Sequence, residues 1–364
     1  MTSECSVPER GEFLSELDQA LELFYPCGPE FGGGLSNHGP MVAEAIHTLG
    51  HDALIAAWAD VYLPRLEDWE PSEPIPVGQR ERALGSGDFG RWMATFLPRV
   101  EAEAWQDCVR EWLPDLLPGF FSAAAHGPIR LAHGIRSLEE EDNPTRRREL
   151  AAGLAYWASS FRTLPGDPAA APSSGKSPGV LLAEIPVVPP RRRRQGFLVD
   201  AVGVLDDEPD FARCMAEADL GQSTPGELIG EICAASAGLY LAHPNARIAY
   251  VHALTGPAAL RRMTDYLDST QLRRGVGYAL QTTAALHATH ARSPGARQGD
   301  PALQDLASSW DELRYRAACS LEEHVIKFTE ACWSEDCVRP DWRFRFAAAD
   351  AVTHLGTSRG GRGA

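Results

Sequence analysis

The sequence predicts an all-α fold. Apolar residues recur at spacings of three and four along most of the chain, runs of alternating apolar and polar residues are nearly absent, and the breaks between periodic stretches are rich in proline and glycine. With 364 residues, 44% of them hydrophobic and 23% charged, the chain can bury one large core, so residues 1–364 are expected to form a single multi-helix domain.

The elements follow in order. Residues 12–24 read as an amphipathic opening helix, and residues 26–37, with Gly32, Gly33 and Gly34, as a loop. Pro40 suits the first turn of a helix that runs to Leu49, where Gly50 interrupts it before another reaches Tyr62. Residues 70–87 look like a proline-rich surface excursion. A helix over 89–113 is expected to break at Pro98, and further helices cover 118–138 and 149–161. Proline, glycine and serine concentrate in 164–179, which opens an irregular region reaching about residue 195. Lys176 is expected to be exposed there. Residues 180–188 and 196–204 are the only strand-like pieces.

In the second half, helices are expected over 210–218, from a Thr224 cap to Leu241, over 246–267 with an interruption near Gly256 and Pro257, and over 271–290 and 301–318. Ser320 and Glu323 have capping-box spacing and would start a helix running to about Trp333. A last helix, 341–355, precedes a glycine- and arginine-rich tail, 356–364, expected to be disordered.

Charge narrows the function classes. Acidic residues outnumber basic ones by 50 to 34, giving a net charge of −16, which argues against a nucleic-acid partner. No 18-residue apolar run is present, and the start lacks the pattern of a signal peptide, so a cytoplasmic protein without a membrane partner is expected. The eight cysteines contain no C-x-x-C pair, which fits reduced thiols and excludes a zinc ribbon. Only Lys176 and Lys327 are lysines. The other 32 of the 34 basic residues are arginine and are expected mainly at the surface. A lysine kept in such a background can mark a place where an amine that loses its proton is required.

Several of the 11 histidines sit among apolar neighbours, where an unpaired ring is costly to bury. His38 lies in Ser36-Asn37-His38-Gly39-Pro40 at the mouth of a helix, either as part of a capping loop or as a ligand held rigid by it. His126 and His133 are seven residues apart, about 10.5 Å along a helix, so at most one of them binds a shared ion. His126 is preferred, with Arg130 one turn on. His252 is embedded in an apolar helix. His287 and His290 are explained by the charge at a helix C-terminus, and His47 and His51 by surface roles. His324 and Lys327 stand one turn apart on one helical face. A buried Lys327 amine can react with carbon dioxide. The resulting carbamate would add an anionic oxygen to the imidazoles of His38, His126, His252 and His324, a set suited to iron, with zinc, copper or nickel admissible by ligand type.

In this order, the motifs Ser36 to Pro40 with Leu49-Gly50, Ala125 to His133, Ala249 to Thr255 and Glu322 to Lys327 resemble the questin oxidase-like family over roughly residues 15–350. The resemblance implies a histidine-rich iron site with a modified lysine. It implies oxidative cleavage of an anthraquinone-type aromatic polyketide by O2, either as Fe(2+) dioxygenation or as an NADPH-requiring Baeyer-Villiger oxidation. Where the family carries a second histidine in the His126 segment, this chain has Arg130, with His133 nearby, so Lys327, Arg130 and His133 are the residues assigned to the chemistry. Two other readings are a helical binding protein for an aromatic metabolite, with no catalysis, and an acidic scaffold whose histidines scatter. The chain has no G-x-G-x-x-G after a strand, which argues against a Rossmann site for NADPH. The Arg191–Arg194 run reads as a solvated loop rather than a phosphate clamp.

Overall fold

Helix starts in this chain are chemically specified. Ser15 accepts a hydrogen bond from the Asp18 amide to open α1 (Glu16–Phe24), and prolines occupy the first turns of α2 (Gly39–Thr48), α8 (Pro144–Ser159) and α12 (Pro225–Ala242). The computed structural model describes residues 14–102, 104–168, 175–292 and 309–356. Among them it is 72% helical, with 17 α-helices and a two-stranded ladder.

The first half also contains α3 (Ile55–Tyr62), α4 (Arg80–Ala83), α5 (Phe89–Ala102), α6 (Trp105–Leu116) and α7 (His126–Glu140). After it come α9 (Pro178–Glu184), α10 (Leu198–Val202), α11 (Pro209–Met215), α13 (Arg247–Arg261), α14 (Ser269–His290), α15 (Trp310–Ser320), α16 (Glu323–Val338) and α17 (Trp342–His354). In the first half, α8 packs between α5 and α7. In the second, α13 lies between α12 and α14, while α16 packs on α17. The halves meet where α2 and α7 contact α16 and α13, and that junction carries the candidate site. No described helix is long and apolar enough to cross a membrane.

Buried acids paired with arginines fasten this arrangement. Arg146 reaches Asp18 at 2.9 Å, Arg247 holds Asp350 at 2.6 Å and Arg261 holds Glu335 at 2.6 Å. Arg136 of α7 joins Glu44 of α2 to Glu330 of α16. Such pairs add little net stability, but removing one partner strands a charge, so they select one packing. The surface expectation for arginine fails at two positions among the described residues, Arg130 and Arg146, each 2% exposed.

Several expected breaks are absent. Pro98 lies inside α5, and Pro257 inside α13. Pro257 has no amide to give the Ala253 carbonyl, and that oxygen is satisfied instead by the hydroxyls of Ser236 at 2.8 Å and Thr283 at 2.9 Å, from the two flanking helices. The helix expected from residue 118 starts at His126, and the one expected from 149 starts at Pro144 on an Asn143 cap. The break expected at Pro98 in the stretch 89–113 falls instead between Ala102 and Trp105, where α5 ends and α6 begins. Ser320 ends α15, and Glu322 caps α16 by accepting from the Val325 amide, so the Ser320/Glu323 capping box does not form.

The strand-like readings are also corrected. Residues 180–188 begin inside α9, whose Leu181 and Leu182 are buried against α12 and α14, and residues 196–204 hold α10 and a 3-10 turn. Short apolar runs fit either state, and the neighbouring helices decided these. The observed ladder, β1 (Glu30–Phe31) against β2 (Leu35–Ser36), is an antiparallel hairpin turned by Gly32, Gly33 and Gly34, all at positive φ. Lys176 does not hang free: it pairs with Glu184 at 2.6 Å and Glu217 at 2.7 Å. The helix expected over 301–318 is seen from Trp310, with 301–308 outside the described residues. Of the terminal calls, residues 12–13 and 357–364 also lie outside them, as does 169–174 of the irregular region.

Candidate metal centre

Four helices each bring one histidine to the junction between the halves. His38 caps α2, held by Asn37, whose Oδ1 accepts from the Gly39 amide at 2.9 Å and whose Nδ2 donates to the Gly28 carbonyl at 2.9 Å. The capping role and the site role therefore coexist. Gly39 is required because a Cβ there would come within 2.6 Å of the Phe24 ring. His126 is the first residue of α7, and three left-handed alanines precede it: Ala123 (φ 48°), Ala124 (φ 55°) and Ala125 (φ 72°). Consecutive non-glycine residues in that region cost roughly 1–2 kcal/mol each. The turn they make aims the His126 ring inward. Gly127 then lets α7 lie on Trp157, whose Cα a Cβ would approach to 2.9 Å.

The imidazoles of His38, His126 and His252 converge by Nε2. The His38 and His126 nitrogens are 2.8 Å apart, and those of His126 and His252 are 3.2 Å apart. His126 Nδ1 lies 2.6 Å from the Ala123 carbonyl and His252 Nδ1 lies 2.7 Å from the Ile248 carbonyl. A carbonyl only accepts, so each Nδ1 carries the hydrogen and each Nε2 presents a lone pair. The Tyr62 hydroxyl places its own hydrogen on the Ser36 carbonyl at 3.4 Å and so accepts from His38 Nδ1 at 3.2 Å, which leaves the His38 Nε2 lone pair free. All three rings are held neutral well below the usual histidine range. Burial is the first cause for each, followed by the charge of Lys327 for His38 and His126, and of His324 and then Lys327 for His252.

Three buried lone pairs this close repel one another unless a proton or a cation lies among them. About 2.1 Å from a metal to each of two nitrogens at a right angle would separate them by ~3 Å, so the donor set fits a transition ion. His324 flanks the three, its ring centroid 5.1 Å from that of His38 and 5.6 Å from that of His252. Its Nδ1 is oriented by Glu322 at 3.1 Å. Lys327 is 1% exposed, and burial lowers its ammonium from 10.5 to about 7 against the pull of Glu323 and Glu322. No described side chain hydrogen-bonds to its nitrogen.

His133 and Arg130 do not join the cluster. His133 Nδ1 faces Glu44, and although burial opposes a charged Glu44, Arg136 and His133 hold that carboxylate far below its usual range. Arg130 forks onto Glu149 of α8 at 2.7 and 2.8 Å. Their expected catalytic placement is therefore corrected: α7 spends one face on the site through His126 and the others on Glu149 and Glu44. His133 does line a cavity of about 110 Å³ with Arg136, Glu330 and Lys327. His287 and His290 also stay apart from the cluster. His47 binds Asp52 and Glu140.

A larger cavity of about 560 Å³ opens onto His38, His126, His252 and His324, a size usual for a small-molecule site. Phe31, Leu35, Phe197 and Ile248 give it apolar walls, and Arg65, stacked over Phe31 and Tyr62, gives a charged rim near Glu323. In the Arg191–Arg194 run, Arg192 pairs with Glu208 and Arg194 with Asp207. Sequence reasoning missed Glu44, Tyr62 and the alanine turn. Glu44 had a signal, as the lone acid in the apolar stretch Met41–Ile46; the alanines had none. No protein-family model, curated protein or solved structure matches this chain.

Proposed function

We propose that the protein is a metal-dependent oxidoreductase that binds Fe(2+) through His38, His126 and His252, with His324 and a carbamylated Lys327 beside them, and that it oxidises an aromatic polyketide-like substrate with O2. The observation that carries the reading is the set of three neutral, inward-facing Nε2 atoms, with that of His126 2.8 Å from His38 and 3.2 Å from His252 and all three within 4.8 Å of one another. Imidazole and carboxylate-type donors suit iron, zinc, copper and nickel alike. The choice of iron, of O2 and of an anthraquinone-type ring rests on the four-motif resemblance to questin oxidase-like proteins.

A bound iron would supply redox chemistry towards O2 that no side chain provides. The chain's part is to hold, orient and exclude. The Ala123 and Ile248 carbonyls and the Tyr62 hydroxyl fix the tautomers, so the imidazoles cannot rotate away. The apolar walls of the 560 Å³ cavity would desolvate a flat aromatic ring, while Arg65 would donate to a phenolate or carboxylate oxygen at the rim. For the Lys327 carbamate, the neutral amine adds to the carbon of CO2 and one N–H proton leaves for solvent, which gives an anionic oxygen in place of an ammonium.

Elemental analysis of the purified protein tests the reading. Iron near one equivalent, removed by chelator and lost in His126→Ala, is the expected result, together with O2 uptake in the presence of an anthraquinone-type phenol. Protein without transition metal, its stability unchanged by chelator, would overturn the metal reading. Ligand affinity without O2 uptake would leave a binding protein. A Lys327→Arg variant with full metal would refute the carbamate. An NADPH requirement for O2 uptake would select the Baeyer-Villiger alternative.

A further inference from the structure

A third cavity, of about 880 Å³, lies away from the histidine cluster, between the segment after α9, the end of α12 and the end of α14. Its polar lining is Arg193, Gln195, His243, His287 and Arg292, and the rest is apolar or small. In a chain of net charge −16 this is a reversal, because no carboxylate lines the cavity among the described residues. Arg192 and Arg194 find Glu208 and Asp207, whereas Arg193 donates to the carbonyls of Val188 and Ala291. Those bonds fix the guanidinium plane and leave its charge uncompensated. Burial and the like charge of Arg292 push the Arg193 guanidinium below its usual range, against the Tyr250 phenol and with no carboxylate opposing them.

The histidines add donors. His243 stacks on Tyr250, ring centroids 5.3 Å apart, and its Nδ1 accepts from the Arg292 amide at 3.4 Å, which places its hydrogen on Nε2. Tyr250 in turn sits 2.7 Å from His287 Nδ1 and holds that ring in place. One fixed guanidinium, a second at the exposed Arg292, ring N–H donors and an amide with no carboxylate among them make a lining that lacks only its anion.

We propose that this cavity binds a small multivalent oxyanion, a phosphorylated or polycarboxylate metabolite held between Arg193 and Arg292. The inference is independent of the metal reading. Its test is calorimetric titration of the full chain at fixed ionic strength with inorganic pyrophosphate and, separately, with citrate. At least one should bind, with affinity falling about tenfold or more in Arg193→Gln and in Arg292→Gln and unchanged in Arg191→Gln, since each guanidinium contributes a charge-assisted pair. Pyrophosphate alone binding assigns a phosphate ligand; citrate alone binding assigns a carboxylate. Should Arg193→Gln fail to fold after losing its carbonyl contacts, Arg292→Gln decides. The proposal is overturned if neither anion binds, if Arg292→Gln binds like wild type, or if Arg191→Gln weakens binding equally.

Discussion

Replacing Lys327 by methionine should stabilise the metal-free protein, most strongly at low pH. The amine is 1% exposed and its ammonium is lowered from 10.5 to about 7, so at neutral or lower pH the fold carries the cost of a buried cation. A pKa depressed by that much corresponds to about 5 kcal/mol at ~1.4 kcal/mol per pH unit. The sign follows from proton counts. Between about 7 and 10.5 the unfolded chain holds a proton that the folded chain lacks, so this residue's contribution rises with pH across that window and is at its worst below it. Methionine has similar length and no charge, so Lys327→Met removes the penalty and its pH dependence together. Urea unfolding of chelator-treated protein should show the variant ahead by up to ~5 kcal/mol near pH 6, narrowing to ~2 kcal/mol near pH 9. Metal content should fall in the same variant. A gain that does not change with pH, or a loss of stability at pH 6, would refute the buried-ammonium account.

Three other expectations concern the scaffold. Ala124→Gly relieves a left-handed non-glycine residue and should raise stability by about 1 kcal/mol while weakening metal binding through a looser His126; a clear loss of stability would argue against the left-handed turn. Ser236→Ala and Thr283→Val should each cost under about 1 kcal/mol, because the other hydroxyl still serves the Ala253 carbonyl, whereas the double variant should lose ~1–3 kcal/mol beyond the sum; a double-mutant cycle in urea reads the excess, and additive values would sink the idea. Burial lowers His287 from 6.5 to about 4, so the unfolded chain binds its proton first and stability should fall by ~3 kcal/mol as pH drops from 6.5 towards 4, a slope that His287→Gln should remove in unfolding curves across that range.

The identity of the clustered histidines was legible, because an imidazole in a helix as apolar as that around His252 must find a partner, and several such rings in distant segments imply a common one. Helical rise showed that His126 and His133 could not both bind one ion, and the choice of His126 rested on its neighbours Gly127 and Arg130. What His133 and Arg130 do instead was not legible, since Glu44 and Glu149 approach from other helices and leave no trace in the local pattern. The same limit applies to Pro257, which looks like a break until Ser236 and Thr283 arrive from either side, and to residues 180–188, where neighbouring helices rather than periodicity chose the state. Three alanines in a left-handed turn contradict local preference, and local preference was all the sequence offered there.

The division of the cluster between the two halves has a consequence for how the protein matures. His38 and His126 belong to the segment before residue 168, and His252 and His324 to the segment after residue 175. Neither segment alone owns the whole set, since the first brings two imidazoles and the second brings two imidazoles and Lys327. A metal held there would therefore act as a clasp: its full affinity would exist only once the halves have docked, and each ion captured would add its binding energy to that docking. A chelator would then loosen the junction itself, and an ion supplied during refolding would report, by the moment it is taken up, when the two halves have found each other.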